Sequence, residues 1–406
     1  MKVLYVVGSC LTKNTSANMS HNGYVQGLLE NGCDVDILMA EDSWGAHDSA
    51  LPVWEKAEYN SYPSAAWQDH IRKKARGCFS APAPTVSGVT EAQSENHLHT
   101  SVKGTIRSLA KSVFYKCFPA DPLYPLEKTW LKNAEKFRSD TEYDLVVSNS
   151  SPAASHKLVG TLLKKGRIAC KRWVQIWEDP WFFDLYGGHA ESIREEEHAL
   201  LREASEIYYV SPLTLKYQQQ YFGDCAHKMK HIPLPYLDFA SQDASDPGEW
   251  SFGYFGDYYS HTRNLLPFYE ALKRVGEKGY IFGDSDLHLQ GTEEITVSGR
   301  VTLDVLAQVQ AKTKVLVHLC NLRGGQIPGK IYHYCATTKP ILFILDGTSE
   351  ERVILTSYFS QFDRFYFCEN NADAIFATIQ RICADNREWA RLEAFSPKEV
   401  VRQLLR

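Results

Sequence analysis

The residues best equipped for chemistry lie between Asn321 and Leu345, in the stretch NLRGGQIPGKIYHYCATTKPILFIL. Lys330 follows Pro328 and Gly329 in what reads as the first turn of a short helix, about Gly329 to Ala336, which Pro340 prevents from continuing. A cation in that turn opposes the helix dipole by roughly 0.3–1 kcal/mol. An anion resting on the exposed N–H groups reverses the sign and gives the lysine a partner. Glycines for close approach, a helix end for donors and Lys330 for charge together spell a phosphate cradle. The alternative is a surface lysine on an ordinary helix. A second group, Glu178-Asp179, closes the run Arg172 to Trp177 (RWVQIW). Carboxylates at the carboxyl end of a parallel strand sit where open α/β sheets bind ligands. Strand alternation points the two apart, so they are not expected to act as a pair. For Asp179 the alternative is a cap ahead of Pro180-Trp181.

The elements that must hold these groups are legible as strand and helix alternating. Lys2 to Val7 reads as a first parallel strand, the Gly8 loop follows, a helix runs from His21 to Glu30, and Asn31-Gly32 stops it. This opening is Rossmann-like but lacks G-x-G-x-x-G, so no dinucleotide fingerprint is present. Residues 42–135 break the rhythm. Ser80 to His99 is polar and Pro/Ser-containing, and it is flanked by basic-aromatic segments at 67–79 and 101–118. Such segments can lie on an anionic membrane, or can form the solvated face of a helix over a core. The α/β alternation resumes at Tyr143, pauses at a polar linker, Asp238 to Trp250, and starts again with Phe252 to Phe255.

Composition sets bounds on the class. With 406 residues the chain is too long for one ordinary core, and 44% hydrophobic with 23% charged residues is the balance of a globular protein. The net charge of −5 gives no general nucleic-acid role. The apolar start is shorter than a signal peptide, and no run approaches about 18 apolar residues. Ten cysteines, among them Cys10, Cys33, Cys320 and Cys335, lie mostly in apolar segments without a C-x-x-C pair. That pattern suits reduced thiols in the cytosol.

The run PGKIYHYCATTKPIL resembles the donor-binding signature of GT-B glycosyltransferases, particularly the family-4-like enzymes, in which a lysine, an "lfEYlA" helix and a "gkPil" strand follow a proline or serine. The series DLVVSNSSPAASH, WVQIWEDPW, LLREASEIYYVS and HKMKHIPLPY is similar to the order of their N-terminal domains. The likeness covers about 1–40 and 140–406. It implies an α/β chain of two Rossmann-like domains facing a cleft. These are an acceptor-binding domain at 1–236 carrying the 42–135 insert, a linker at 237–250, a nucleotide-sugar-binding domain at 251–390, and a last helix at 391–406 crossing back. Gly256, Arg263 and Gly299 occupy the places of the family's glycine, basic residue and "G-x-v". With Gly329 and Lys330 they would hold the donor, and Gly8 and His21, at a helix entrance, would wall the acceptor cleft; the alternative for His21 is a residue that simply sits near a helix N-terminus. The family's helix carboxylate is replaced by His333, which shares a helix face with Lys330, and the acidic position eight earlier is Gly325. His333 remains able to hydrogen-bond a ribose.

The implied activity is transfer of a sugar from a nucleotide-sugar donor to a glycan or lipid-linked acceptor, in a retaining manner, for cell-surface polysaccharide. Lys330 and Arg263, with N–H groups around Gly256 and Gly329, would stabilise the leaving diphosphate without metal or cofactor, and Asp179 would orient or deprotonate the acceptor hydroxyl. Asp284-Ser285-Asp286 spells the D-x-D of the unrelated GT-A enzymes, but an acidic loop yields it by chance and it reads as a turn. Neither His97–Thr100 nor His318-Leu319-Cys320 has a metal-ligand spacing. Two rivals stand beside this reading: a GT-B-shaped nucleotide-sugar epimerase, and a catalytically silent subunit that binds a partner enzyme, which Gly325 and His333 favour. The expected place is the cytoplasm, with peripheral contact at the inner face of the membrane.

Overall fold

A computed structural model describes residues 1–13, 15–41, 48, 51–64, 123–185, 189–237 and 249–406. The basic-aromatic segments at 67–79 and 101–118, and most of the expected linker, lie outside the described residues. Strands β1 (Lys2–Val7), β2 (Asp34–Glu41), β3 (Ala57–Pro63), β5 (Leu145–Asn149), β7 (Trp173–Trp177), β8 (Glu206–Tyr209) and β9 (Met229–His231) form one parallel sheet in the order β3-β2-β1-β5-β7-β8-β9. Two short strands, β4 (Glu142–Tyr143) and β6 (Ala169–Cys170), make a separate ladder. A second parallel sheet runs β12-β11-β10-β13-β14-β15, from β10 (Ser251–Phe255), β11 (Lys278–Phe282), β12 (Ile295–Ser298), β13 (Val315–Leu319), β14 (Ile341–Leu345) and β15 (Phe365–Glu369). The central strands β5, β7, β10, β13 and β14 are buried at every position, as parallel strands covered on both faces must be.

The first sheet is joined by helices α1 (Ser16–Glu30), α2 (Lys128–Ala134), α3 (Ala154–Lys164), α4 (Glu191–Glu203) and α5 (Pro212–Tyr221). The second has α6 (Leu266–Val275), α7 (Leu303–Lys312), α8 (Lys330–Tyr334), α9 (Ser349–Phe359) and α10 (Ala372–Cys383), and α11 (Pro397–Leu404) closes the chain. Among the described residues no helix is long and apolar enough to cross a membrane.

Several elements depart from the sequence reading. The first helix starts at Ser16, capped by the Thr15 side chain, so His21 lies in its second turn and not at its entrance. The polar residues Asn18, Ser20, His21 and Asn22 are buried, and Asn18 and Asn22 donate to carbonyls of the Gly8 loop region. A helix that buries polar side chains shows no apolar stripe there. The 42–135 region does not leave the α/β pattern entirely, because β3 extends the sheet edge parallel to β2. It is half exposed, which suits its polar AEYNSYP sequence. Helix α8 spans only Lys330–Tyr334, with Gly329 flanking it, and is shorter than Gly329–Ala336. The turn after it is fixed by Arg364, a buried arginine that donates to the carbonyls of Lys339 (2.7 Å) and Ala390 (3.0 Å) and to Thr337.

One apolar cluster runs from the first sheet (Val3, Tyr5, Val174) through Ile331 and Tyr332 of α8 to Phe395, Val400 and Val401. The last helix therefore packs on the first half of the molecule. It packs tightly on Gly27 of α1, where an added Cβ would sit 2.1 Å from the Pro397 carbonyl oxygen.

Candidate active site

Lys330 opens α8 where the second half faces the first. A Cβ placed on the neighbouring Gly329 would lie 3.3 Å from Leu234 and 3.8 Å from Ser16 Oγ, so a bulkier residue would narrow the gap between the halves. Three charged groups act on Lys330: Asp257, Arg263 and Arg300. Burial pulls its ammonium down to about 8, and the two arginines add to that while Asp257 opposes it. Arg300 is oriented by carboxylates. Its Nε donates to Asp257 Oδ1 at 3.0 Å and lies 3.3 Å from Asp284 Oδ2. Burial pushes Asp257 upward, but Arg300, the Asp284 N–H and Arg263 outweigh it and hold the carboxyl below its usual range. Arg263 also acts on the Tyr254 hydroxyl. Three cations against one nearby carboxylate, with a second carboxylate on the outer edge of Arg300, leave a net positive field, which suits a polyanion.

The backbone contributes less than the motif suggests. The Gly256 N–H donates to Phe282 O at 2.9 Å, completing the β10–β11 ladder, so it is not a donor for a bound anion. The close crossing here depends on Gly283, whose φ is +155 and whose Cβ would lie 1.9 Å from the Gly256 oxygen, whereas a Cβ on Gly256 would meet Tyr254 at an ordinary 3.6 Å. A Cβ on Gly299 would meet Asp284 Oδ1 at an ordinary 3.5 Å. A five-residue helix also has little dipole to offer, and the electrostatics rest on side chains. Asp284 and Asp286 point to different partners: Asp286 accepts from Ser260 N at 2.7 Å and Ser260 Oγ at 2.6 Å, tying two loops together, while Asp284 lies against Arg300.

His333 lies one turn from Lys330. Its Nε2 is buried with no hydrogen-bond partner among the described residues, and burial, reinforced by the Lys330 charge, lowers the ring to about 4. It is neutral at pH 7 and offers one hydrogen bond without charge. Gly325 has a steric explanation. A Cβ there would lie 2.8 Å from Thr214 N, and the Gly325 carbonyl accepts from Ser211 Oγ and from Thr214 Oγ1 (2.9 Å) at the start of α5. A glutamate at this position requires the loop to leave that seat.

On the facing side, Glu178 and Asp179 diverge. Glu178 Oε1 lies 3.0 Å from Nε2 of the fully buried His21, whose Nδ1 is 3.3 Å from Asn18 Oδ1. Asp179 Oδ1 accepts from Gln326 Nε2 at 2.7 Å. Burial raises Asp179 to about 7; the Gln326 bond opposes this, while Asp184 and Glu178 add to it. Gly8 donates from its N–H to Ser155 Oγ at 2.8 Å, and a Cβ on it would strike Pro152 at 2.6 Å. The geometry thus brings Lys330, Arg263 and His333 together, joins Asp179 to the same loop through Gln326, and leaves His21 in a supporting position against Glu178 and Gly8 against Ser155 and Pro152. Sequence reasoning missed Asp257, Arg300, Gln326 and Asp184. Arg300 follows Gly299 and Asp257 follows Gly256, each just past a strand end, and that is the local signal that could have found them.

No protein-family model matches the chain, and no curated protein matches it. Solved structures do. Sucrose-phosphate synthase from Thermosynechococcus elongatus aligns over 99% of this chain and 94% of its own, with a TM-score of 0.54 and 15% identity. The catalytic domain of starch synthase IV from Arabidopsis thaliana, bound to ADP and acarbose, aligns over 98% and 94%, with a TM-score of 0.54 and 9% identity. An α-glucosyltransferase in complex with UDP and DNA aligns over 99% and 94%, with a TM-score of 0.52 and 11% identity. The chain has the GT-B fold of these glycosyltransferases, with two parallel α/β halves meeting at a cleft.

Proposed function

We propose that this chain is a glycosyltransferase that takes a sugar from a nucleotide-sugar donor to a glycan or lipid-linked acceptor, with retention of configuration, in the assembly of cell-surface polysaccharide. The observation that carries the reading is the cluster of Lys330, Arg263 and Arg300 around Asp257, set in a GT-B fold. The cations would stabilise the diphosphate more as it leaves than while it is esterified, which lowers the barrier selectively. They would do so without metal. Gly256, Gly299 and Gly329 keep the donor side open, and His333 would meet the ribose as a neutral donor or acceptor. Asp179, whose carboxyl burial raises to about 7, would orient or deprotonate the acceptor hydroxyl, with Gly8, His21 and Glu178 shaping the floor beneath it. The neighbours' UDP and ADP make these the first nucleotides to try. The test is a thermal-shift panel of UDP, ADP, GDP, CMP and dTDP sugars, with and without chelator. A shift for one nucleotide class, unchanged by chelator, is expected. A shift that needs Mn²⁺ and disappears in Asp284→Ala would replace the metal-free mechanism with a D-x-D one.

The seating of Gly325 against Thr214 favours a second reading, a silent subunit that keeps the fold for a partner enzyme. That reading holds if no nucleotide in the panel binds.

A further inference from the structure

At the position next to Gly325, a side chain of the second half bonds residues of the first. Gln326 Nε2 donates to Asp179 Oδ1 at 2.7 Å and to Asp184 Oδ1 at 3.2 Å, and its Oε1 accepts from Leu185 N at 3.2 Å. Behind the side chain, Asn321 Nδ2 donates to the Gln326 carbonyl at 3.1 Å. The amide is engaged at both ends and its backbone is tied down. We propose that Gln326 is a positioning residue that clasps Asp179 and Asp184 of the first half to the donor-side loop, so that the two carboxyls are presented side by side to the donor's sugar. The proposal rests on the glycosyltransferase reading and deepens it: the sugar is read by acids on the acceptor side, and only when the halves are closed.

The residue type fits the task. One NH2 group has two hydrogens and can serve two carboxylates at once without adding charge. A glutamate would place a third acid beside Asp179 and Asp184. A lysine or arginine would hold both fully ionised and end proton exchange at Asp179. The charged groups that bear on Asp179 are Asp184, on the loop that follows it, and Glu178, itself engaged by His21 of α1. The clasp is therefore the neutral influence that keeps this carboxyl ionisable among acids.

The test is Gln326→Met, nearly the same volume without a donor. The Asp179 carboxyl is followed by ¹³C NMR on protein labelled in aspartate side chains, its signal assigned with Asp179→Asn. Loss of the donated bond is expected to raise the midpoint by at least about half a pH unit, because that bond favours the ionised form. Asp184→Asn is expected to lower it. A midpoint unchanged or lowered in Gln326→Met overturns the clasp. In parallel, affinity for the nucleotide sugar found in the panel and for its bare nucleoside diphosphate is measured. Gln326→Met and Asp184→Asn are expected to weaken the first at least about fivefold and leave the second unchanged, whereas equal losses on both overturn the sugar-reading role. Should the parent bind no nucleotide, the glycosyltransferase reading fails and the sugar-reading role with it, while the titration still decides whether the clasp exists.

Discussion

Lys330 gives up its proton more readily than an ordinary lysine, because burial and two arginines press on it. Its charged form prevails below about pH 8 and is lost as pH rises through that value. Affinity for a nucleoside diphosphate should therefore fall between pH 7 and 9.5 in the parent, measured by calorimetry at constant ionic strength. Lys330→Ala should bind at least about tenfold more weakly at pH 7, the loss of a charge-assisted contact of roughly 1.5–3 kcal/mol, and its affinity should vary less over the same range. Stability carries the opposite sign. A lysine with a depressed folded pKa costs stability wherever it is charged, so the variant should melt no lower than the parent at pH 7 without ligand. Identical pH curves for the two proteins would remove Lys330 from the anion site. The place of Lys330 at the start of a short helix ahead of a buried strand was legible in the sequence, because its glycines, proline and following strand are contiguous. Gln326 was not legible as a contact, since Asp179 stands 147 positions away and only folding makes them neighbours.

At the level of elements, the junction of α1 and α11 depends on one missing methyl group. Ala at position 27 would gain helix propensity of roughly 0.5–1 kcal/mol. It would also press a Cβ to 2.1 Å from Pro397 O and 2.5 Å from Val401 Cγ2. Overpacking of this kind costs about 1–3 kcal/mol, so Gly27→Ala should lower the urea midpoint and speed hydrogen exchange in α11. An unchanged midpoint with protected α11 amides would show that the two helices separate freely. Most parallel strands could be read from their apolar runs, since burial on both faces leaves an unbroken signal. The start of α1 and the strand β3 could not. The one hides polar side chains against loop carbonyls, and the other rides half exposed on a sheet edge. Sequence periodicity reports which face meets oil, and neither element obeys that rule.

At the scale of the whole molecule, the basic-aromatic segments 67–79 and 101–118 motivate peripheral contact with an anionic membrane. The protein should cosediment with vesicles containing phosphatidylserine at low salt and be released as salt screens the attraction. Equal binding to neutral vesicles would sink the idea. The order of the two sheets follows from the alternation in the sequence, but how the halves meet does not, because that depends on contacts such as Tyr332 Oη to Val210 O at 3.0 Å. The chain passes between the halves twice, once between His231 and Ser251 and again ahead of α11, and the passages touch where Tyr236 N donates to Phe395 O at 3.1 Å. Two bodies on a single tether can slide, twist and tumble against each other. Two bodies bound along a spine, as the covers of a book are, keep one easy motion, and opening becomes a swing about that line. Reclosure then returns Lys330 and Asp179 to the same facing page each time.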